Sequence, residues 1–405
     1  MRLGLLGIDA RMMDVALAAR RRGDCIVAAH GVGTAELRDL DAPAAGGWEP
    51  LLDAAVCDAV LVGGDGWDAD RATAVRTLVQ AGRPLLLAQP LELSMLWAYE
   101  LDMIRRDTGA LLVPCLPDRL HPFVGRLRDA LVASLAGAGP DGAVESLHLE
   151  RRMPDRSRTA VLAQLARDAD LIRAVVGDPA KLSTLGAADP DTAWGTLAVG
   201  LSGPTQVPVR WQVAPAATSG LVLRLQSAAG ATEIHAPDDG GPWAWTSSAG
   251  ASESSGFDRG ATILGVLDRA IDAAAGRGTP APDAATWSDA ARAIELAETV
   301  PRSLTRGRAV DLHREEFTEM GTFRGTMASL GCGLIVAALV VVVLATLVAG
   351  IAREFGWRFA GAIVDAWPAI VLGTLGLFLL LQLLPLLVAA PQDGDDQPRP
   401  PGRAA

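Results

Sequence analysis

The chain opens on a pattern that could seat a phosphate. An apolar run, Arg2-Leu-Gly-Leu-Leu-Gly-Ile8, leads into the turn Gly7-Ile8-Asp9-Ala10-Arg11-Met12 and then into a helix. A glycine turn between strand and helix presents free amides at the helix start, where a diphosphate can lie. The full dinucleotide fingerprint also needs glycine at the places of Asp9 and Met12. One lets the backbone approach the pyrophosphate and the other lets helix and strand pack closely. Here Gly7 and Ile8 remain, and a carboxylate points where the diphosphate would lie. A short acidic residue at this place accepts hydrogen bonds from the same amides as an N-cap. The strand–turn–helix signal survives while the phosphate seat is altered.

Other reactive side chains are scattered. His30, His121, His148, His235 and His313 show no metal-ligand spacing, and Cys25, Cys57, Cys115 and Cys332 contain no C-x-x-C pair. Neither a metal site nor a disulfide framework is expected. Lys181 is the only lysine beside 35 arginines. The segment Leu116-Pro-Asp-Arg-Leu-His-Pro122 follows a strand at the crevice edge of an open sheet. Arg119 and His121 there either line a ligand pocket or belong to a charged loop with a satisfied helix start. Arg151, Arg152, Arg156 and Arg158 form a basic run that reads as a solvated face, or as a contact for an anion or lipid headgroup. Arg167 either pairs with Asp170 at i,i+3 or faces a pocket.

These groups must be carried by regular elements. Apolar runs at Leu3–Ile8, Cys25–Ala29, Ala59–Val62, Leu85–Ala88 and Leu111–Cys115 alternate with helical stretches at Ala10–Arg22, Asp70–Ala81 and Leu93–Thr108. That alternation predicts a doubly wound α/β domain over residues 1–117. Residues 118–312 read as a second α/β domain with an open, mostly antiparallel sheet. It has helices near 120–135, 159–176, 261–275 and 285–304. Strands are expected near 144–152, 182–186, 192–201, 207–213, 221–226 and 232–235. The Gly/Ser/Asp-rich stretch Ala236–Gly256 reads as a long loop.

Beyond a linker over 313–329, Leu330–Ala352 is 23 residues without a charge and Trp367–Ala390 is 24 more. At 1.5 Å per residue each spans about 35 Å, enough for a hydrocarbon core of about 30 Å. Residues 330–390 are therefore expected to form a transmembrane hairpin, followed by a disordered tail over 391–405. Arg314, Arg324, Arg399 and Arg403 flank the spans, against Arg353 and Arg358 in the connecting loop. That balance places both termini and the soluble part on the cytoplasmic side. The start does not read as a secretory leader, since its apolar run is short and Arg20-Arg21-Arg22 follow it. A net charge of −11 argues against nucleic acid as the main partner.

Four phrases, in order, resemble the glucose–fructose oxidoreductase, inositol dehydrogenase and rhizopine-catabolism (Gfo/Idh/MocA) family. They are Gly4-Leu-Leu-Gly7, Ala81-Gly-Arg-Pro-Leu-Leu-Leu-Ala-Gln-Pro90, Ala169-Asp170-Leu-Ile-Arg-Ala-Val-Val-Gly177-Asp-Pro179 and Trp287-Ser-Asp-Ala-Ala-Arg-Ala-Ile-Glu295. The resemblance covers residues 1–312. It implies an N-terminal Rossmann domain, a C-terminal sheet that often faces a partner subunit in a homo-oligomer, and NAD(P)-dependent oxidation of sugars or polyols. It places Gly7, Ile8 and Pro90 against the cofactor. The family's lysine in Glu-Lys-Pro falls on Gln89, its Asp-x-x-x-His pair on Ala163 and Arg167, and its ribose-binding acid on His30. Gln89 has no titratable proton and an arginine is a poor general base. The sequence is thus expected to be a membrane-anchored pseudo-oxidoreductase with no catalytic residues and no cofactor. Gln89, Arg119, His121 and Arg167 would form a pocket for a small anionic or sugar-like ligand. The alternatives are an active oxidoreductase using NAD or NADP through other residues, and a scaffold for the hairpin.

Overall fold

The computed structural model describes residues 1–139, 141–185 and 193–312, with Leu344, Leu347 and Ile351 beyond them. The chain begins β1 (Arg2–Leu6), α1 (Ala10–Arg22), β2 (Cys25–His30), α2 (Thr34–Leu40), β3 (Ala59–Val62), α3 (Ala69–Gln80), β4 (Leu85–Leu87), α4 (Met95–Thr108) and β5 (Leu112–Pro114). These strands form one sheet in the order β2-β1-β3-β4-β5, and every pairing in it is parallel. Their apolar runs are buried throughout β3, β4 and β5, as strands covered on both faces require. In this order the connection reverses between β1 and β3, and open α/β sheets bind ligands at the carboxyl ends of the strands beside such a point.

A single turn of 3-10 helix (Pro117–Leu120) leads into α5 (Pro122–Leu135), β6 (Val144–Met153), α6 (Arg158–Val176) and β7 (Lys181–Leu185). Next come β8 (Ala198–Ser202), β9 (Val209–Pro215), β10 (Gly220–Ser227), β11 (Gly230–Pro237), β12 (Trp243–Thr246) and β13 (Ser252–Ser255). The described chain closes with α7 (Arg259–Ala274), α8 (Trp287–Arg306) and β14 (Val310–Asp311). The second sheet runs β13-β12-β11-β10-β6-β9-β8-β7-β14. It is mixed: β6 pairs in parallel with β9, while its other neighbours, such as β10 with β6, are antiparallel.

The stretch 236–256 is a correction. It is not a long loop but carries β12 and β13, which extend the sheet. The period-two pattern Trp243-Ala-Trp-Thr246 buries both indoles against the second core, and that gain outweighs the local Gly and Ser content. The segment read as a strand from Thr192 instead holds a 3-10 turn, Ala193–Thr196, before β8.

Two hydrophobic cores lie within the unit Met1–His313. The first surrounds the parallel sheet and takes in Ile263, Leu264 and Leu267 of α7 and Trp287 and Ile294 of α8. The second lies between the mixed sheet and α5, α6 and the rest of α8. The stretches 330–352 and 367–390, with Cys332, the linker and the tail, fall outside the described residues apart from Leu344, Leu347 and Ile351. Those three are helical and exposed. Among the described residues no helix is long and apolar enough to cross a membrane.

Candidate functional site

The β1–α1 turn has the geometry of a phosphate seat. Gly7 takes a left-handed φ of 68°, and its amide donates to the His30 carbonyl at 2.8 Å. Asp9 is the N-cap of α1. Its Oδ1 accepts from the Met12 amide at 2.9 Å, and its Oδ2 accepts from the Gly64 amide, just past β3, at 2.7 Å. One carboxylate therefore bridges the two loops at the reversal point and uses the amides that would meet a diphosphate. Behind it Gly63 abuts Ile8 so closely that a Cβ would collide with the Ile8 backbone. Met12, where the fingerprint has its last glycine, is fully buried in the first core.

Arg71, in the first turn of α3, covers the same edge. Its Nη1 donates to the Asp65 carbonyl and its Nη2 to the Gly31 carbonyl at 3.2 Å. A Cβ on Gly31 would lie 2.9 Å from Nη2, one on Gly66 would lie 3.2 Å from it, and one on Gly7 would strike Nη1. The guanidinium thus spans the ends of β1, β2 and β3, where the ribose side of a dinucleotide would run. Burial, with the nearby Asp9 charge, raises the Asp65 carboxyl above the usual range against the pull of Arg71.

Facing this edge, α6 brings a row of charged groups. Asp168 is 2 % exposed and Arg151 is 1 % exposed. Asp168 accepts from Arg151 Nε at 2.9 Å, from Trp211 Nε1 at 2.8 Å and from Gln164 Nε2 at 3.1 Å. Arg151 also reaches Asp238 at 3.1 Å. Burial alone would favour loss of the Arg151 proton, but Asp168, then Asp238 and Asp118, hold it charged. The basic run is therefore not one solvated face. The alternation of β6 turns Arg151 into the core while Arg152 stays outside against Glu150.

Arg167 does not pair with Asp170. Asp170 instead accepts from Arg119 at 2.7 Å, since successive turns of α6 aim the two side chains differently. Arg167 Nε donates only to its own helix, at the Ala163 carbonyl, 3.3 Å away. Among the described residues no carboxylate lies in ion-pair reach of Arg167. Burial, then repulsion from Arg11 and Arg151, pushes its pKa down to about 10 against Asp168 and Asp9. Arg11 is 3.8 Å from Asp118, which already accepts from Arg259 Nε at 2.7 Å. The Cys115 thiol, among Arg11, Asp9, Asp118 and Arg167, is pushed up to about 12, chiefly by burial.

The four expected pocket residues are not all available. His121 is 1 % exposed and stacks on Trp243 with ring centroids 4.1 Å apart. Its Nδ1 accepts from the Phe123 amide at 3.0 Å, capping α5, and burial lowers its pKa to about 4. It is a neutral core side chain. Arg119 is engaged by Asp170 and stands 3.7 Å from Asp289. Gln89 follows β4 before Pro90, across a cis peptide bond. It is 9 % exposed, and no hydrogen bond of its side chain to a described residue is formed. Among the described residues Gln89, Arg167 and the buried Nε2 of His121 have no side-chain hydrogen-bond partner. Lys181, on β7, stands 3.7 Å from Asp311, both exposed. Among the described residues no three His, Cys, Asp or Glu side chains gather as metal ligands.

Arg11, Arg71 and the Arg151–Asp168 pair were not singled out as site residues by the sequence. Asp168 did carry a signal, since it falls on the apolar face of α6 with Val161, Leu165 and Ile172, where an acid must find a buried partner. Arg71 carries none, because its place depends on how α3 leaves β3.

No family model matches the sequence, and no curated protein matches it. Solved structures do. A myo-inositol dehydrogenase from Corynebacterium glutamicum superposes with a TM-score of 0.58 at 15 % identity, covering 77 % of this chain and 99 % of that one. An oxidoreductase from Agrobacterium radiobacter, in complex with NAD+, L-tartaric acid and magnesium, gives 0.59 at 13 %, covering 77 % and 98 %. GenD2 from gentamicin A biosynthesis, in complex with NAD, gives 0.58 at 18 %, covering 77 % and 97 %. At these identities the likeness is one of fold: a Rossmann-like parallel sheet followed by a second, mixed sheet.

Proposed function

We propose that this chain is a Gfo/Idh/MocA-like protein that binds a small ligand at its interdomain crevice without transferring hydride. The observation that carries this reading is the Asp9 carboxylate on the Met12 and Gly64 amides. With Arg71 laid across the neighbouring strand ends, the residues present do not fit a dinucleotide. Proton transfer to accompany hydride is also poorly served. Gln89 does not titrate, Arg167 titrates near 10, and His121 near 4. Asp170 is pushed up to about 6 by burial, but it is bonded to Arg119.

The proposal extends to the membrane. The two charge-free stretches support a C-terminal hairpin with both termini and the soluble part in the cytoplasm. A second copy would meet the open face of the mixed sheet. His148, Arg152, Arg210 and Arg224 are exposed there, so such an association would rest on polar contacts.

The test is a calorimetric or nicotinamide-fluorescence titration of the full chain in detergent with NAD+, NADH, NADP+ and NADPH. No binding at physiological concentrations is expected. A dissociation constant in the low micromolar range would overturn the reading. It would favour an NAD(P)-dependent oxidoreductase of sugars or polyols; one structural neighbour is named a myo-inositol dehydrogenase and two others are complexes with NAD.

A further inference from the structure

We propose that Cys57 is carried as a thiolate and serves as the counter-ion of Arg83, in an ion pair at the amino ends of the parallel strands, away from the crevice.

The starting point is a buried charge. Two arginines are buried among the described residues, Arg151 at 1 % exposed and Arg83 at 6 %. Arg151 is paired with Asp168 and Asp238. Arg83, just before β4, forms no ion pair with a carboxylate of the described residues. Asp58, which follows Cys57 in the chain, is held by Arg2 at 2.6 Å. A guanidinium does not give up its proton in a protein, and a charge in the core is strongly unfavourable unless it is paired.

The group that Arg83 does reach is Cys57, just before β3 and fully buried. Arg83 Nη2 donates to the Cys57 carbonyl and lies 3.5 Å from Cys57 Sγ. Arg83 Nε is buried with no acceptor. The carbonyl alone therefore leaves the charge unanswered. The sulfur sits against β1, where a Cβ on Gly4 would lie 3.3 Å from it.

A neutral thiol would donate to the Leu51 carbonyl, 3.7 Å from the sulfur. That contact is long, and it gives Arg83 no negative partner. An ionised sulfur accepts from Arg83 and neutralises it, and a neighbouring guanidinium favours the thiolate. The pair then joins the start of β3 to the start of β4 through charge as well as through the sheet. Burial shields this sulfur from alkylating reagents, so its charge has to be read directly.

The experiment compares the full chain in detergent at neutral pH with Cys57→Ser and Arg83→Met. The wild type should show more ultraviolet thiolate absorbance than Cys57→Ser. Its infrared S–H stretching band should be no stronger than that of Cys57→Ser, since Cys57 would carry no S–H. In Arg83→Met the extra thiolate absorbance should vanish and the S–H band should grow. Where Arg83→Met does not fold, a second pair of variants reads the charge through stability. Cys57→Asp keeps an anion and should melt higher than the isosteric Cys57→Asn. Three results would overturn the inference: an S–H band from Cys57 in the wild type, thiolate absorbance that persists in Arg83→Met, or Cys57→Asn melting above Cys57→Asp.

Discussion

Arg119 and Asp170 meet at 2.7 Å, joining the turn after β5 to the middle of α6. Arg119 stands 3.7 Å from Asp289, and Arg173 of α6 holds the same Asp289 at 2.9 Å. The pair therefore ties the parallel sheet to α6 and, through Asp289, to the start of α8.

This junction has a pH signature. Burial raises the Asp170 pKa from 3.8 to about 6, with Arg119 and Arg173 opposing and Asp289 adding. Between those values the folded chain holds a proton that the unfolded chain has released, so Asp170 makes stability fall as pH rises. His121 has the opposite sign. Its pKa drops from 6.5 to about 4, so the unfolded chain binds the extra proton and stability rises with pH. Between about pH 4 and 6 the two groups therefore oppose one another in the wild type. Asp170→Asn should climb with pH, and His121→Asn, which keeps a capping side chain, should fall. Urea titrations across that window decide it, and identical slopes in all three would refute the assignment.

Asp168→Ala leaves Arg151 charged and buried with only the half-exposed Asp238. Removing one member of a buried pair costs about 3–5 kcal/mol, so this variant should be strongly destabilised. Asp168→Asn keeps an acceptor for Trp211 Nε1 and should lose less. Denaturation followed by tryptophan fluorescence reads both.

Asp9→Gly together with Arg71→Ala should open the dinucleotide seat. The double variant should bind NAD+ or ADP-ribose measurably tighter than the parent, which should show none. Loss of the cap and of the Gly64 bond should cost about 1–2 kcal/mol. If the double variant binds no better than the parent, Asp9 and Arg71 are not what blocks the seat.

Thiol reactivity should separate the described cysteines. Cys25 is exposed, while Cys57 and Cys115 are buried and the Cys115 thiol titrates near 12. Native iodoacetamide labelling followed by peptide mass mapping should modify Cys25 and spare the other two.

The full chain should sediment with membranes and resist carbonate extraction, whereas a truncation after Leu312 should stay in the supernatant. Protease added from the cytoplasmic side should cut both termini. Protection of the C-terminal tail would indicate one span and overturn the hairpin.

Much of the fold was legible because its signals are local. Helix α1 matches Ala10–Arg22, β3 matches Ala59–Val62, and Asp9 shows its capping role in the turn itself. What escaped was set by distant partners. α2 has one fully buried residue, Leu40, and so little amphipathic signal. β12 packs through Trp243 on His121, over a hundred residues earlier in the chain, and β13 pairs with β12. Likewise the partner of Asp170 was decided by side-chain direction on α6, which i,i+3 spacing alone does not fix.

The return of α7 and of the start of α8 to the first core bears on the chain's modularity. A gene fragment ending after the parallel sheet would express a protein whose first layer lacks its last helices, with the apolar surface of α1 left bare and prone to self-association. Recombination at that point could not hand the Rossmann half to another protein intact. A cut between the two halves would therefore have to fall after α8 for the first core to stay closed.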